Sequence, residues 1–515
     1  VIGAAGARAI PGVRDPAGMV VVVMTLVAGG LQVFALTRPN ALLAGWSDIS
    51  IYLGAAIRLV HGALPYRDFA LLQPPGLVLL LSPFGLLSLA VGSRVALIAL
   101  TAGTPLLAAA NVALVGRLIA HRGWRAALVA CGFMAVYPAT YLALQDSLLE
   151  PLMCLFCLLG AALVLDRDGL AGRRRLALGG AAFGFAASVL IASALPVLVV
   201  IALCASRPRR RLLPFAGGVA GGFLIPAIPF FAAAPAAFLH DTVVTQLERV
   251  PLAGRTPVAT RLLNLTFAVH GGGLAGAVAA LAAIGVVILV GLATGRRRLT
   301  PLDGFAIGAT LTLGAAQLAI SDYFVHFPAM LVPYPALLLG IAVARLPRRW
   351  AQPVVVAVAA VAVAGLAVAQ AALIQTESIV DVAAWVDAVV PVNGCAISPY
   401  TYLLVTSDRI QSSAAGCTAF TDPQATRLAS QGSPGGAVPA YRDALEHTDY
   451  VVLTTTLRQW LSGPFAPLYA YVAGNFRAHD SGPLIIYVRD GFPVAQPSAG
   501  VAAGPPVGRT HGRPA

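Results

Sequence analysis

Long apolar runs separated by tight clusters of arginine dominate this chain, and that alternation limits its fold more than any other feature. About 20 consecutive apolar residues cross the hydrocarbon core of a bilayer. Only 11% of the residues are charged, against about 25% in an average soluble domain, so no aqueous surface could cover so many runs. The runs 18–37, 93–119, 124–143, 147–166, 176–206, 212–232, 271–294, 302–320, 327–346 and 351–374 are read as membrane spans.

The formal net charge of +13 would suit a nucleic-acid partner if it lay on one polar face. Instead the arginines bunch at 117–125, 173–175, 207–211, 296–298 and 348–349, between apolar runs, and there is no lysine. This is how cytoplasmic loops look under the positive-inside rule, and nucleic acid is set aside as a partner. Basic clusters flank 176–206 on both sides, so that run must be two short helices turning near Ser193 to Pro196. With the segment 75–90 lying at the interface rather than crossing, eleven crossings satisfy every cluster. The N-terminus is then cytoplasmic on an uncleaved first span. Residues 38–92 form a first external loop and 233–270 a second large one.

From 375 to 490 the apolar segments shorten to strand length and alternate with helix-like stretches, which predicts a small external α/β domain. The predicted fold class is therefore an α-helical polytopic membrane protein, with its membrane domain over 1–374 and the external domain over 375–490. Residues 491–515, rich in Pro, Gly and Ala, read as a disordered tail. Cys131, Cys154, Cys157 and Cys204 lie in apolar runs and read as small core residues. Cys395 and Cys417 lie in the polar region and can pair if it is outside the cytoplasm.

In this topology the acids next to the spans emerge on one side. Asp48 follows the first span, Asp68 lies in Leu64-Pro65-Tyr66-Arg67-Asp68-Phe69, and Asp146 and Glu150 open a span. Asp322, Tyr323 and His326 form the turn between two others. Such acids are costly near a membrane unless they face a cavity or a partner, so together they predict a hydrated external cleft. Asp146 and Glu150 are four residues apart and are expected on one helix face. No P-loop, dinucleotide-binding glycine pattern, nucleophile elbow or metal-ligating His/Cys cluster is present in the sequence.

The first loop, from Asp48-Ile49-Ser50-Ile51-Tyr52 through Gly62-Ala63-Leu64-Pro65-Tyr66-Arg67-Asp68-Phe69 to Pro74-Pro75-Gly76, resembles that of bacterial GT-C glycosyltransferases. Those include relatives of protein O-mannosyltransferases and of the lipid A aminoarabinose transferase. Glu150 at a span start, and Tyr323 to His326 ahead of a Pro-containing span, fit the same pattern. The resemblance implies a plasma-membrane enzyme whose donor is a sugar on a polyprenyl phosphate and whose acceptor lies in the cell envelope. It implies that Asp48, the acid shortly after the first span, acts at the reaction centre, with Glu150 and Asp68 as further catalytic candidates. A carboxylate within reach of an acceptor hydroxyl can take its proton, and a cation can stabilise the leaving phosphate. The candidates for substrate or phosphate contact are Arg58, Arg67, Arg249, Tyr323 and His326. Gln73 stands where the aminoarabinose transferase has a lysine before its Pro-Pro pair. The residues identify no cofactor with certainty, and a divalent cation stays open. Two other readings compete: a transporter or flippase, which should show an internal repeat and polar residues at the membrane midplane, and a non-catalytic scaffold with an external binding domain.

Overall fold

The computed structural model describes residues 15–43, 48–167, 169–206, 209–248, 256–266, 273–294, 298–320, 323–347, 349, 351–376, 379–412, 417, 421–430 and 436–495. The body is helical. In chain order it comprises α1 (Pro16–Leu36), α2 (Asp48–Val60), α3 (Gly76–Val91), α4 (Ser93–Ala102), α5 (Thr104–Ile119), α6 (Trp124–Val136), α7 (Pro138–Asp146), α8 (Leu149–Val164), α9 (Arg173–Val189), α10 (Ala194–Ala205) and α11 (Arg209–Ala233). It continues with α12 (Pro235–Leu239), α13 (Thr245–Glu248), α14 (Val258–Thr266), α15 (Gly273–Thr294), α16 (Pro301–Ala319), α17 (Pro328–Leu331), α18 (Pro333–Arg345) and α19 (Ala351–Thr376).

Among the described residues six helical segments are long and apolar enough to cross a bilayer: Pro16–Leu36, Ser93–Arg122, Arg211–Ala233, Gly273–Ala293, Pro301–Ala319 and Ala351–Gln375. The chain is a multi-pass membrane protein. Several runs expected as single spans are broken. The run 124–143 becomes α6 and α7, bent by 45°. Tyr137 precedes Pro138 and is extended (φ −72°, ψ 119°), as the proline ring demands of the residue before it. The run 176–206 does divide in two, but at extended Leu190 and a short turn Ile191–Ser193, slightly ahead of the expected point. The run 327–346 starts as the short α17 before α18.

Packing between α9 and α11 depends on small residues. Gly180 and Gly184 of α9 face Gly218 and Gly222 of α11, and a Cβ at any of the four would overlap backbone of the opposite helix. Without a hydrophobic force between helices in lipid, such close backbone approach supplies the association.

The C-terminal segment carries α20 (Ala383–Asp387), α21 (Thr401–Thr406), α22 (Pro423–Ala429), α23 (Val438–Glu446), α24 (Leu457–Trp460) and α25 (Ala466–Asn475). After a small hairpin, β1 (Leu165–Asp166) with β2 (Gly169–Leu170), the remaining strands are β3 (Ala396–Ile397), β4 (Tyr450–Leu453), β5 (Phe476–Ser481) and β6 (Leu484–Arg489). The last four form one mixed sheet in the order β3-β4-β6-β5. In β6, buried Leu484, Ile486 and Val488 alternate with half-buried Ile485, Tyr487 and Arg489, the period of a strand with one face on a core.

This segment is bolted to the body. Asp408 accepts from the Arg94 backbone N–H (2.9 Å) and the Ser93 hydroxyl (2.9 Å) at the start of α4. Arg94 in turn pairs with Asp381 (2.5 Å). Gly92 has φ +87°, and a Cβ there would press on the Asp408 carboxylate. Both the turn and the contact therefore require glycine. Cys395 and Cys417 are disulfide-bonded, with Cα atoms 5.6 Å apart.

Candidate active site

A cavity of about 520 Å³ lies where α2, the α7–α8 junction, the α9–α10 break, the end of α16 and the turn before α17 converge. Four carboxylates (Asp48, Asp146, Glu150, Asp422) and one imidazole, His326, line it, and no arginine does so among the described residues.

Asp146 ends α7 and Glu150 sits in the first turn of α8, so the single helix face expected for this pair is replaced by a break. Leu148 between them adopts φ +60°, a conformation that costs a non-glycine residue about 1–3 kcal/mol and collects at functional sites. The break still brings both acids to one partner. His326 Nδ1 is 2.9 Å from Asp146 Oδ2, and Nε2 is 3.5 Å from Glu150 Oε1. Ser147 donates its hydroxyl to Glu150. His326 is 4% exposed, and Phe324 stacks parallel to its ring at 5.6 Å.

Asp48 opens α2, a 13-residue helix outside the spanning set. Burial, followed by the nearby charge of Asp146, pushes its carboxyl up to about 7, while His326 opposes this and Asp422 and Glu150 reinforce it. For His326 burial alone would lower the pKa. The surrounding carboxylates, Glu150 first, then Asp146 and Asp48, outweigh burial and carry it up to about 9. At neutral pH the cavity thus offers a carboxylate poised between its two states and a protonated imidazole locked between two acids.

The other candidates from the first loop lie off the cavity. Asp68 is tied to the Arg67 guanidinium (2.8 and 2.9 Å) and accepts from the Leu64 N–H (2.7 Å). The Arg67 hydrogen bond holds its carboxyl below the usual range, the wrong direction for a base. Arg58 lies over the Phe69 ring, 5.7 Å from its centroid. Tyr323 is 7% exposed, under the Arg261 guanidinium and edge-on to Phe327. Arg249 and Asp322 lie outside the described residues. Among the described residues no group of three or more His, Cys, Asp or Glu is arranged to hold a metal ion.

Several lining or supporting residues were not foreseen. Asp422 and Gln424 arrive from the C-terminal segment, where Asp422 also caps α22 by accepting from the Ala425 N–H (2.8 Å). Its Asp-Pro sequence signals a helix start but carries no hint of a cavity. Asp241, 4% exposed in a π-helical turn, accepts from the Leu71 N–H (3.2 Å) and so clamps the first loop to the second. Arg261 is fully buried: it donates to the carbonyls of Thr256 (2.9 Å), Gln317 (3.0 Å) and Leu318 (3.2 Å), and Gln317 lines the cavity.

Comparison with known proteins agrees with this architecture. The crystal structure of ArnT from Cupriavidus metallidurans in the apo state is similar at a TM-score of 0.54 and 15% identity, covering 91% of this chain and 97% of ArnT. The arabinofuranosyltransferase AftD from Mycobacteria is similar at a TM-score of 0.51 and 16% identity, over 91% of this chain and 40% of AftD. The apo oligosaccharyltransferase of Archaeoglobus fulgidus gives 0.50 and 13%, over 92% and 74%. No curated protein sequence matches the chain. The chain shares the fold of these membrane glycosyltransferases. Residues 72–321, just under half of the chain, match the model of glycosyltransferase family 87.

Proposed function

We propose that the protein moves one sugar from a polyprenyl-phosphate carrier to a hydroxyl of an extracytoplasmic acceptor, whether cell-wall glycan, glycolipid or protein. One observation carries this reading: a single cavity brings Asp48 together with His326, clamped by Asp146 and Glu150, and burial pushes the Asp48 carboxyl up to about 7. A general base works best when its pKa lies near the operating pH. Asp48 takes the acceptor proton as the hydroxyl oxygen attacks the anomeric carbon. The bond from that carbon to the phosphate oxygen breaks, and its electron pair leaves on the lipid phosphate. Protonated His326 supplies positive charge where that oxyanion develops; Asp146 and Glu150 fix the ring. Asp68, Arg67 and Arg58 shape the first loop, and Tyr323 backs the wall behind His326. Arg249 remains a candidate contact to the phosphate.

Residues such as Leu313, Ile320 and Phe327 give the cavity an apolar wall suited to the start of a prenyl chain. A second ArnT structure, bound to undecaprenyl phosphate, is similar to this chain at a TM-score of 0.54 and 14% identity, over 91% of this chain and 97% of ArnT. Under the positive-inside rule the arginine clusters support a cavity facing outward from the plasma membrane, with the N-terminus cytoplasmic.

The test is transfer by purified full-length protein in lipid nanodiscs, supplied with radiolabelled polyprenyl-phosphate sugars and envelope acceptors. Asp48→Asn should lose about 10²–10⁴-fold in rate, the range expected for a general base. Equal transfer by both proteins would remove Asp48 from the chemistry.

A further inference from the structure

Besides the Asp48, Asp146, Glu150 and His326 groups, the cavity is lined by three amides and one acid from three distant stretches of chain. Gln73 comes from the first loop, Gln246 from α13, and Asp422 with Gln424 from the start of α22. Leu72 is the hub that holds them together. Its carbonyl accepts from Gln246 Nε2 (2.9 Å), and its side chain packs on Ala425 and Leu428 of α22. Gln73 and Gln424 are the immediate neighbours of those contacts. All three glutamines are half-buried, and Gln73 Oε1 is a buried acceptor with no hydrogen-bond partner among the described residues. A buried acceptor left unpaired calls for a donor from a ligand or from water.

We infer that Gln73, Gln246, Gln424 and Asp422 form a binding subsite for the hydroxyls of a neutral sugar ring, completed only when the C-terminal segment is seated. Each amide offers both donors and an acceptor, and the carboxylate accepts, which matches a ring of hydroxyls that both donate and accept. Asp422 is the one ionisable group among these four, so the carboxylate of a uronic acid would be repelled at this subsite, away from the imidazole that faces the lipid phosphate. This inference deepens the proposed transfer by naming the class of sugar. The ring could belong to the donor or to the acceptor, and the test separates the two.

Full-length Asp48→Asn protein in nanodiscs, which should not turn over, is titrated calorimetrically in two arms. One arm uses methyl glycosides of neutral hexoses and pentoses, with methyl uronides as controls. The other compares polyprenyl-phosphate hexose with bare polyprenyl phosphate. Adding Gln73→Ala, Gln246→Ala or Gln424→Ala should raise Kd about tenfold, the loss of about one well-made hydrogen bond, and the bare lipid phosphate should bind as before. An effect in the first arm assigns the ring to the acceptor, and in the second to the donor. Gln424 truncation leaves the Leu72–Ala425–Leu428 packing in place, and a thermal unfolding curve checks that the variant is folded. The inference is overturned by three results: no sugar-dependent binding in either arm, equal binding by folded glutamine variants, or equally tight uronide binding. Binding that behaves as expected, with wild-type protein transferring nothing in the nanodisc assay, would retire the proposed reaction and leave the subsite standing.

Discussion

If Asp48 is the base and His326 the cation, the pH dependence of transfer has a shape that the cavity dictates. Asp48 must be ionised, and its carboxyl lies at about 7; His326 must be protonated, and it lies at about 9. The profile of kcat/KM should be a bell with its maximum near pH 8. With a limb at 7, the ionised fraction of Asp48 is roughly a tenth at pH 6, half at pH 7 and nine-tenths at pH 8, so activity should rise about fivefold from pH 6 to 7. His326 lowers the Asp48 pKa and Asp146 raises it. His326→Gln should therefore move the acid limb to higher pH and abolish the basic one, whereas Asp146→Asn should move the acid limb to lower pH. Each unit of displacement is about 1.4 kcal/mol and a tenfold change in rate on the acid side. The assay is kcat/KM from pH 5.5 to 10 with radiolabelled donor, for wild type and both variants. An acid limb that stays fixed, or moves the same way in both, would refute the electrostatic coupling. Since the groups interact, the two limbs belong to the cluster and not to single residues.

The same raised pKa has a cost in stability. A carboxyl at 3.8 unfolded and about 7 folded loses stability as pH rises through that window, so Asp48→Asn should raise Tm at pH 8 and have little effect at pH 4. The bound is about 4 kcal/mol, with roughly 1–3 expected after relaxation, and a Tm unchanged at pH 8 would count against a buried charge. Asp68→Asn should leave the acid limb in place, since Asp68 is held by Arg67 and lies off the cavity; a displaced limb would reinstate it as a candidate base. Cys395→Ser should cost about 3 kcal/mol, the value for a loop of this size, read as a fall in Tm that added reductant reproduces in wild type. Gly184→Leu should prevent α9 from closing on α11, at a cost of about 1–3 kcal/mol or more, seen as loss of monodisperse protein in detergent.

How much of this was legible in the sequence follows from the range of the forces involved. Span hydrophobicity and arginine clustering are local, so the polytopic body could be read from them, as could the division of 176–206. The breaks at Tyr137–Pro138 and at Leu148 were harder. The proline could be seen, but nothing in Leu148 announces a left-handed residue, which is imposed by the packing around it. The acids and His326 were recognisable because ionisable groups beside spans are costly and need a reason. Their mutual arrangement was not, since the α7–α8 break turns an expected helix face into a clamp around the imidazole. Asp68 is the opposite case: an acid in a suggestive motif that pairs with a neighbouring arginine and lies off the cavity.

Asp422 is the most instructive miss. It lies 374 positions from Asp48 along the chain, and its local sequence is explained in full by its role as a helix cap. A residue that satisfies a local rule leaves no residual signal for a second role, and here the second role comes only from tertiary packing, through Leu72 against Ala425 and Leu428. By the same logic the C-terminal segment, joined to the body through Asp408 and Arg94, is one wall of the cavity. Loosening either tether should therefore weaken sugar binding before it disturbs the Asp146–His326–Glu150 clamp, which is built entirely within the membrane body.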